Sequence, residues 1–283
     1  MILNRTAKTF VLGTVVLTAF FVARSANAAD PLPVFVFAGQ SNMVGKRCLA
    51  NELPSRMQLP NSRALFFVSK EKIWVPIAPG RTEPQGFGPE IAFAAAITEN
   101  RDETIGIIKV SRGGTNLHRQ WSPDDPDSLF GELIRTVEAA HRTRPIKVVG
   151  MIWIQGGADA KEKAMACAYE TNLKGLVVHS RQQFQNPDMY FISGRIPAKD
   201  DRRKPFWKTV REAQQDLKMN HYSWVDCDDI SKGPDDVHYD TAGMVKLGQR
   251  LANIMAGKVS SAYLPSSDPS PDGEPDSGTA HEN

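Results

Sequence analysis

The 283-residue chain has few cysteines, few histidines and, past its N-terminal region, no long apolar run. Each scarcity excludes something. The three cysteines, Cys48, Cys167 and Cys227, stand far apart, and an odd, widely spaced set is no disulfide scaffold. One bridge plus one free thiol stays open at this level. There is no C-x-x-C pair and no pair of histidines at ligand spacing, so no metal and no cofactor is expected. No later stretch approaches 18 consecutive apolar residues, which speaks against a membrane-spanning helix in the mature chain. A charge excess is lacking too. The chain carries 34 basic and 32 acidic residues, and Arg5, Lys8 and Arg24 fall within the first 28 positions. What remains is close to neutral, so a nucleic-acid partner has no electrostatic support. No internal repeat is visible, and nothing specifies an oligomeric state.

What is present starts with an export signal. Arg5 and Lys8 make a basic start, Phe10 to Ala23 is an apolar run of 14 residues, and Ala26-Asn27-Ala28 is a small-x-small cleavage site. Residues 1–28 therefore read as a secretory signal peptide, with a retained anchor as the alternative. The mature protein is expected to be secreted or periplasmic. Residues 29–259 suffice for one large α/β domain. Residues 260–283 are rich in Ser, Pro, Asp and Gly, and 261–283 hold five acidic residues and no Lys or Arg. That composition cannot bury a core and predicts a disordered acidic tail.

Between these ends, apolar strands alternate with helical periods. Strands are expected at Pro33–Ala38, Ala64–Val68, Thr104–Val110, Ile146–Ile154, Met189–Ser193 and, shorter, Tyr222–Val225. Helices are expected from Pro89-Glu90 to Ile97, Ser128 to His141, Ala164 to Phe184, Phe206 to Met219 and Thr241 to about Gly257. Ser128 and Asp240 are the caps. Lys72–Pro89 holds four prolines and reads as irregular. Strand-then-helix repeated this often predicts a three-layer α/β/α sandwich around a parallel sheet. The expected sheet has about five strands in a flavodoxin-like order.

Polar groups gather at the expected strand ends, where open α/β sheets hold their ligands. The first strand runs into Gly39-Gln40-Ser41-Asn42-Met43-Val44-Gly45, with Ser41 in a tight turn. The third ends at Ser111-Arg112-Gly113-Gly114-Thr115-Asn116, the fourth at Gln155-Gly156-Gly157. Late in the chain comes Asp235-Asp236-Val237-His238. An ester hydrolase needs this inventory. A serine hydroxyl requires a base, and an imidazole, whose unperturbed pKa lies near neutrality, suits the task; His238 is the candidate. A carboxylate must fix the ring's tautomer, and Asp235 lies three residues away. The oxyanion needs donors set in advance, and the Ser41 N–H, a Gly113 or Gly114 N–H and the Gln155 amide are candidates. Each piece has a plainer reading: Ser41 as a helix cap, the diglycine as a turn, Gln155 as a structural amide, His238 as a surface group. Their joint placement favours the chemical one.

Gly39-Gln40-Ser41-Asn42-Met43 resembles the nucleophile block of the SGNH-hydrolase superfamily. The nearer resemblance is to its sialate O-acetylesterase-like carbohydrate esterases, a branch that includes acetylxylan esterases. That branch reads G-Q-S-N-M, then G-G-T, W-x-Q-G-E and D-x-x-H. Here the later blocks are Gly113-Gly114-Thr115, Trp153-Ile154-Gln155-Gly156-Gly157 and Asp235-Asp236-Val237-His238. The resemblance implies a metal-free acyl-enzyme mechanism with Ser41 as nucleophile, His238 as base and Asp235 as orienting acid. It implies an oxyanion hole from Ser41, Gly113, Gly114 and Gln155, and an acetylated carbohydrate as substrate. Gln40, Arg112, Thr115 and Trp121 are the expected substrate contacts, with Trp153 and the loop around Phe87 as further stacking candidates, although Trp153 lies within a buried strand pattern and reads first as core. One departure stands out: the family glutamate is Gly157 here, while Asp159 matches another common family acid, fit for loop support or catalysis. Rival readings are a non-catalytic carbohydrate-binding protein on the same fold, or a lipid or thioester hydrolase of the wider superfamily.

Overall fold

A computed structural model describes residues 30–84, 86–99, 101–198 and 203–259. The expected signal peptide and acidic tail lie outside the described residues. Strand β1 (Leu32–Gly39) runs through the middle of the sheet, flanked in parallel by β4 (Ile105–Ser111) and β5 (Ile146–Ile154). Its residues alternate between two cores, as the period of two along a strand requires. Phe35 and Phe37 point to the face covered by α3 (Glu90–Ile97), which follows the single-turn helices α1 (Ser41–Val44) and α2 (Ser55–Gln58), and by α7 (Thr241–Ala256). Both meet Phe93 edge-on, with ring centroids 5.0 and 5.1 Å apart. Val34, Val36 and Ala38 face the other layer, built by α4 (Leu129–Thr143), α5 (Lys163–Gln183) and α6 (Trp207–Asp216). Full burial of such side chains contributes about 1.5–3 kcal/mol each, so β1 nails both layers to one sheet.

The sheet has seven strands, in the order β3-β2-β4-β1-β5-β6-β7, where β2 is Asn61–Val68, β3 Ile73–Ile77, β6 Tyr190–Gly194 and β7 Tyr222–Val225. Within it, β4-β1-β5-β6-β7 follows the expected flavodoxin-like order, while β2, the expected second strand, lies outside β4. The difference is the hairpin β2–β3 added outside β4, with β2 parallel to β4 and β3 antiparallel to β2. β3 falls in the stretch expected to be irregular. It carries Pro76, which a strand accepts at a sheet edge, where one side of the backbone has no ladder to fill. The helix caps are as expected: the Ser128 hydroxyl accepts from the Gly131 N–H at 3.2 Å, and the Asp240 carboxylate from the Gly243 N–H at 2.8 Å.

Register aligns Gly39 with both Ser111 and Ile154. The three central strands thus end together, and the loops that follow them open on the same edge of the sheet.

Candidate active site

The turn that holds Ser41 is made by close backbone approach. The Gln40 N–H donates to the Ile154 carbonyl at 3.0 Å and the Arg112 N–H to the Gly39 carbonyl at 3.1 Å, tying the ends of β1, β5 and β4 together. Ser41 then opens a single helical turn, α1 (Ser41–Val44), closed by Gly45. Gly45 sits at φ +88°, and a Cβ there would lie 1.7 Å from the Phe87 carbonyl oxygen. Only glycine satisfies both constraints. Below the turn, the buried Lys109 ammonium of β4 donates to the Val44 carbonyl at 3.3 Å and contacts Glu90 at 3.1 Å and Glu83 at 3.2 Å. A charge pair inside the protein thereby anchors the Ser41 turn to α3.

Ser41, Gly113, Gly114 and His238 line one cavity of about 440 Å³, with Gln40 on its wall. A Cβ added to Gly113 would lie 3.8 Å from the Ser41 Cβ, so the diglycine loop passes directly over the serine.

The histidine arrives on the loop before α7. His238 Nδ1 lies 2.8 Å from Asp235 Oδ2. Asp235 Oδ1 accepts the backbone N–H groups of His238 at 2.9 Å and Val237 at 3.1 Å. These donors, the backbone one first and the ring second, hold the Asp235 carboxyl well below the usual carboxylate range. It is therefore ionised at neutral pH. Facing a carboxylate, Nδ1 carries the ring proton and leaves the Nε2 lone pair open to accept one. Arg47 adds a guanidinium contact to Asp235 at 3.1 Å.

Asn42, the neighbour of Ser41, clasps this loop from both sides of the histidine. Its Oδ1 accepts the Tyr239 N–H at 3.1 Å and its Nδ2 donates to the Val237 carbonyl at 3.4 Å. The sequence reading assigned Asn42 no role beyond its place in the motif.

Several expected site residues do other work. Gln155 is buried, and its Nε2 donates to Asp159 Oδ2 and to the Thr115 carbonyl at 2.9 Å, while Oε1 accepts from the Tyr169 hydroxyl at 3.1 Å. Both strong amide hydrogens are spent on protein acceptors, which leaves Gln155 a strut and not an oxyanion donor. Thr115 is buried, with its hydroxyl donating to the Arg112 carbonyl at 2.8 Å and accepting from Trp121 Nε1 at 3.0 Å. Trp121 is fully buried against Trp153, ring centroids 5.0 Å apart, and can stack on no sugar. Phe87 is likewise in the core. Arg112 turns outward to Glu132 at 3.0 Å. Asp159 is the organiser of this layer. Fully buried, it accepts the N–H groups of Leu117 and His118 as well as the Gln155 amide. Burial pushes its carboxyl up while these donors pull it down.

Residues 31–257 match a family model described as "SASA: Carbohydrate esterase, sialic acid-specific acetylesterase". The chain belongs to this family. This sialic acid-specific acetylesterase family is one of carbohydrate esterases, which makes the protein a carboxylic ester hydrolase by class. "Probable carbohydrate esterase At4g34215" of Arabidopsis thaliana is 27% identical over 247 residues, 79% of this chain and 91% of that protein. The crystal structure of the Arabidopsis thaliana protein superposes with a TM-score of 0.72 at 24% identity, covering 81% of this chain and all of that one. XAC1771, a carbohydrate acetylesterase from Xanthomonas citri, shares the fold at TM-score 0.61 and 18% identity over 80% of this chain and 56% of its own.

Against the esterase family's motif, position 157 is glycine, and the space beside it is walled by polar groups. A Cβ there would lie 3.3 Å from Gln40 Nε2 and 3.5 Å from Lys204 Nζ. All three cysteines are free thiols, Cys48 and Cys227 buried and Cys167 exposed. Among the described residues no helix is long and apolar enough to cross a membrane.

Proposed function

We propose that the protein is an exported serine esterase that removes O-acetyl groups from carbohydrate through a Ser41-His238-Asp235 triad, after cleavage of residues 1–28. The observation that carries the reading is the ionised Asp235 on His238 Nδ1, in a loop clasped by the neighbour of Ser41. In this mechanism the Ser41 hydroxyl adds to the acetyl carbonyl carbon as its proton passes to His238 Nε2. Asp235 stabilises the resulting imidazolium. The carbonyl oxygen becomes an oxyanion and accepts the N–H groups of Ser41 and of the Gly113-Gly114 loop, each donor contributing about 3–4 kcal/mol. The sugar oxygen leaves with the proton from His238. Water then attacks the acetyl-serine, activated by the same Nε2, and acetate departs. No step calls on a metal.

Acetate release from peracetylated sugars and from an aryl acetate tests this. Wild type turns over both, whereas Ser41→Ala keeps its melting temperature and loses turnover. Equal rates in the two proteins would remove Ser41 from the mechanism. Sequencing the N-terminus of the exported protein tests cleavage after Ala28.

A further inference from the structure

Two hollows meet at Ser41, and they differ in kind. The first is the cavity described above, which includes His238 and Gly114. The second, of about 570 Å³, shares Ser41, Lys46 and Gly113 with it but contains neither His238 nor Gly114. Among the described residues, Val44, Leu49, Pro84 and Gly86 give the second hollow an apolar lining. Its charged members Glu83 and Arg47 already hold partners. Glu83 meets Lys109 at 3.2 Å and the Ser111 hydroxyl at 3.3 Å, and Arg47 meets Asp235 at 3.1 Å. Leu49 is 48% exposed. A lone exposed leucine is ordinary, but this one stands in a hollow that reaches Ser41. The lining is also fixed in place. The Leu49 N–H donates to the Thr241 hydroxyl at 3.1 Å and the Cys48 N–H to the Gly45 carbonyl at 3.0 Å. Gly86 backs so closely onto this segment that a Cβ on it would lie 2.4 Å from the Cys48 carbonyl oxygen.

The proposed acyl transfer decides which hollow takes which half of an ester. The carbonyl oxygen must face the N–H donors of Ser41 and the Gly113-Gly114 loop. The leaving oxygen must face His238, which hands it a proton. The remaining substituent of the carbonyl carbon, the acyl chain, then points away from His238 and into the second hollow. An acetyl methyl leaves most of that space unfilled. We infer that the second hollow is an acyl groove and that the protein also removes longer acyl groups, such as butanoyl and hexanoyl, from sugar hydroxyls. The inference rests on the esterase reading and extends it to a further class of ester. Ser41 Oγ bonds to the acyl carbon, the sugar oxygen leaves with the proton carried by His238 Nε2, and water then releases the free carboxylic acid. Each methylene buried fully would favour the longer ester by about fourfold, and by less in a groove open to solvent.

An aryl acetate, butanoate and hexanoate, together with ethyl and hexyl acetate, provide the test. In wild type kcat/KM is expected to rise along the acyl series, with the hexanoate exceeding the acetate by about tenfold. Leu49→Ser, which removes part of the apolar lining, and Leu49→Trp, which fills the hollow, should each cut that ratio by about threefold or more. Leu59→Ser, at a leucine 67% exposed and outside the groove, should leave it unchanged. The ratio of hexyl to ethyl acetate should respond to neither Leu49 variant, because the alcohol lies on the His238 side. An acyl ratio of one or less in wild type, or one that neither Leu49 variant moves, overturns the groove. A response of the alcohol ratio in its place overturns it too. If the acetates are still cleaved, the esterase reading survives those results. If wild type cleaves no ester of the set, both readings fall together.

Discussion

Asn42 offers the sharpest test of how the His238 loop is held and of whether His238 acts as the proposed base. Asn42→Ala removes the acceptor of the Tyr239 N–H and the donor to the Val237 carbonyl, the two peptide groups that bracket His238. Tyr239 is buried, so its N–H loses a partner that water does not readily replace. Two neutral hydrogen bonds at about 0.5–1.5 kcal/mol each put the stability loss at about 1–3 kcal/mol. The catalytic loss should exceed what destabilisation explains. Freed from the clasp, the loop can drift relative to Ser41, and a displacement of about 1 Å in a reacting group costs on the order of a hundredfold in rate. That corresponds to about 2.7 kcal/mol in the barrier. The assay is steady-state hydrolysis of an aryl acetate well below the melting temperature, paired with denaturant unfolding. The expected result is a kcat lower by about 10–100-fold with KM changed little. Asn42→Asp keeps an acceptor for Tyr239 and should fall between. A kcat within twofold of wild type, with stability reduced, would refute the argument. It would mean that Asp235 and the α7 cap alone position the histidine.

Other outcomes follow from the same geometry. Asp235→Asn should lower kcat by about 10²–10⁴-fold, because an amide cannot stabilise the imidazolium and can present the wrong tautomer. The native Asp235 carboxyl titrates below its unfolded value near 3.9, so its stabilisation is present above about pH 4 and lost as pH falls through the folded value. The melting-temperature gap between wild type and Asp235→Asn should therefore be widest near neutral pH and close towards pH 2. Lys109→Met strands the fully buried Glu90 and should cost about 3–5 kcal/mol, with Lys109→Met/Glu90→Gln recovering much of it in a double-mutant unfolding cycle. Additive losses would exclude the coupling. Cys48 and Cys227 are buried, their thiols pushed up to about 12 by burial, while Cys167 is exposed. A native thiol titration should count one fast-reacting group and only the denatured chain three.

The order of elements was legible because strands and helices announce themselves by period and by caps, as Ser128 and Asp240 illustrate. β3 was not, since Pro76 and neighbouring prolines mimic a loop, and edge placement is a tertiary fact. At the site, the sequence reading singled out Ser41, His238, Asp235 and the diglycine, and the fold brings them to one edge. It could not decide what each polar group touches. Gln155 and Thr115 look available in a motif, yet Asp159, Tyr169 and Trp121 occupy their hydrogen-bonding capacity. Trp121 looks like a stacking platform until its indole is found against Trp153.

The same contacts explain why this site cannot form piecemeal. The clasp of Asn42 on Val237 and Tyr239 spans 195 and 197 positions, and the Leu49 N–H reaches the Thr241 hydroxyl across 192. The Thr241 hydroxyl in turn donates to Glu52 at 2.6 Å. A second set of contacts therefore fastens the start of α7 to the segment just after the Ser41 turn. Farther along, Gly248 of α7 lies so close to α3 that a Cβ on it would stand 2.5 Å from the Pro89 carbonyl oxygen. α3 also carries Glu90, the partner of the lysine under the turn. Docking of α7 on α3 thus delivers the His238 loop, and the same helix pair braces the Ser41 turn. Gly248→Leu should push these helices apart, and the loss of turnover should track the loss of α3–α7 packing even though position 248 touches no substrate. Full activity in a folded Gly248→Leu protein would show that the loop holds His238 in place without the helix behind it.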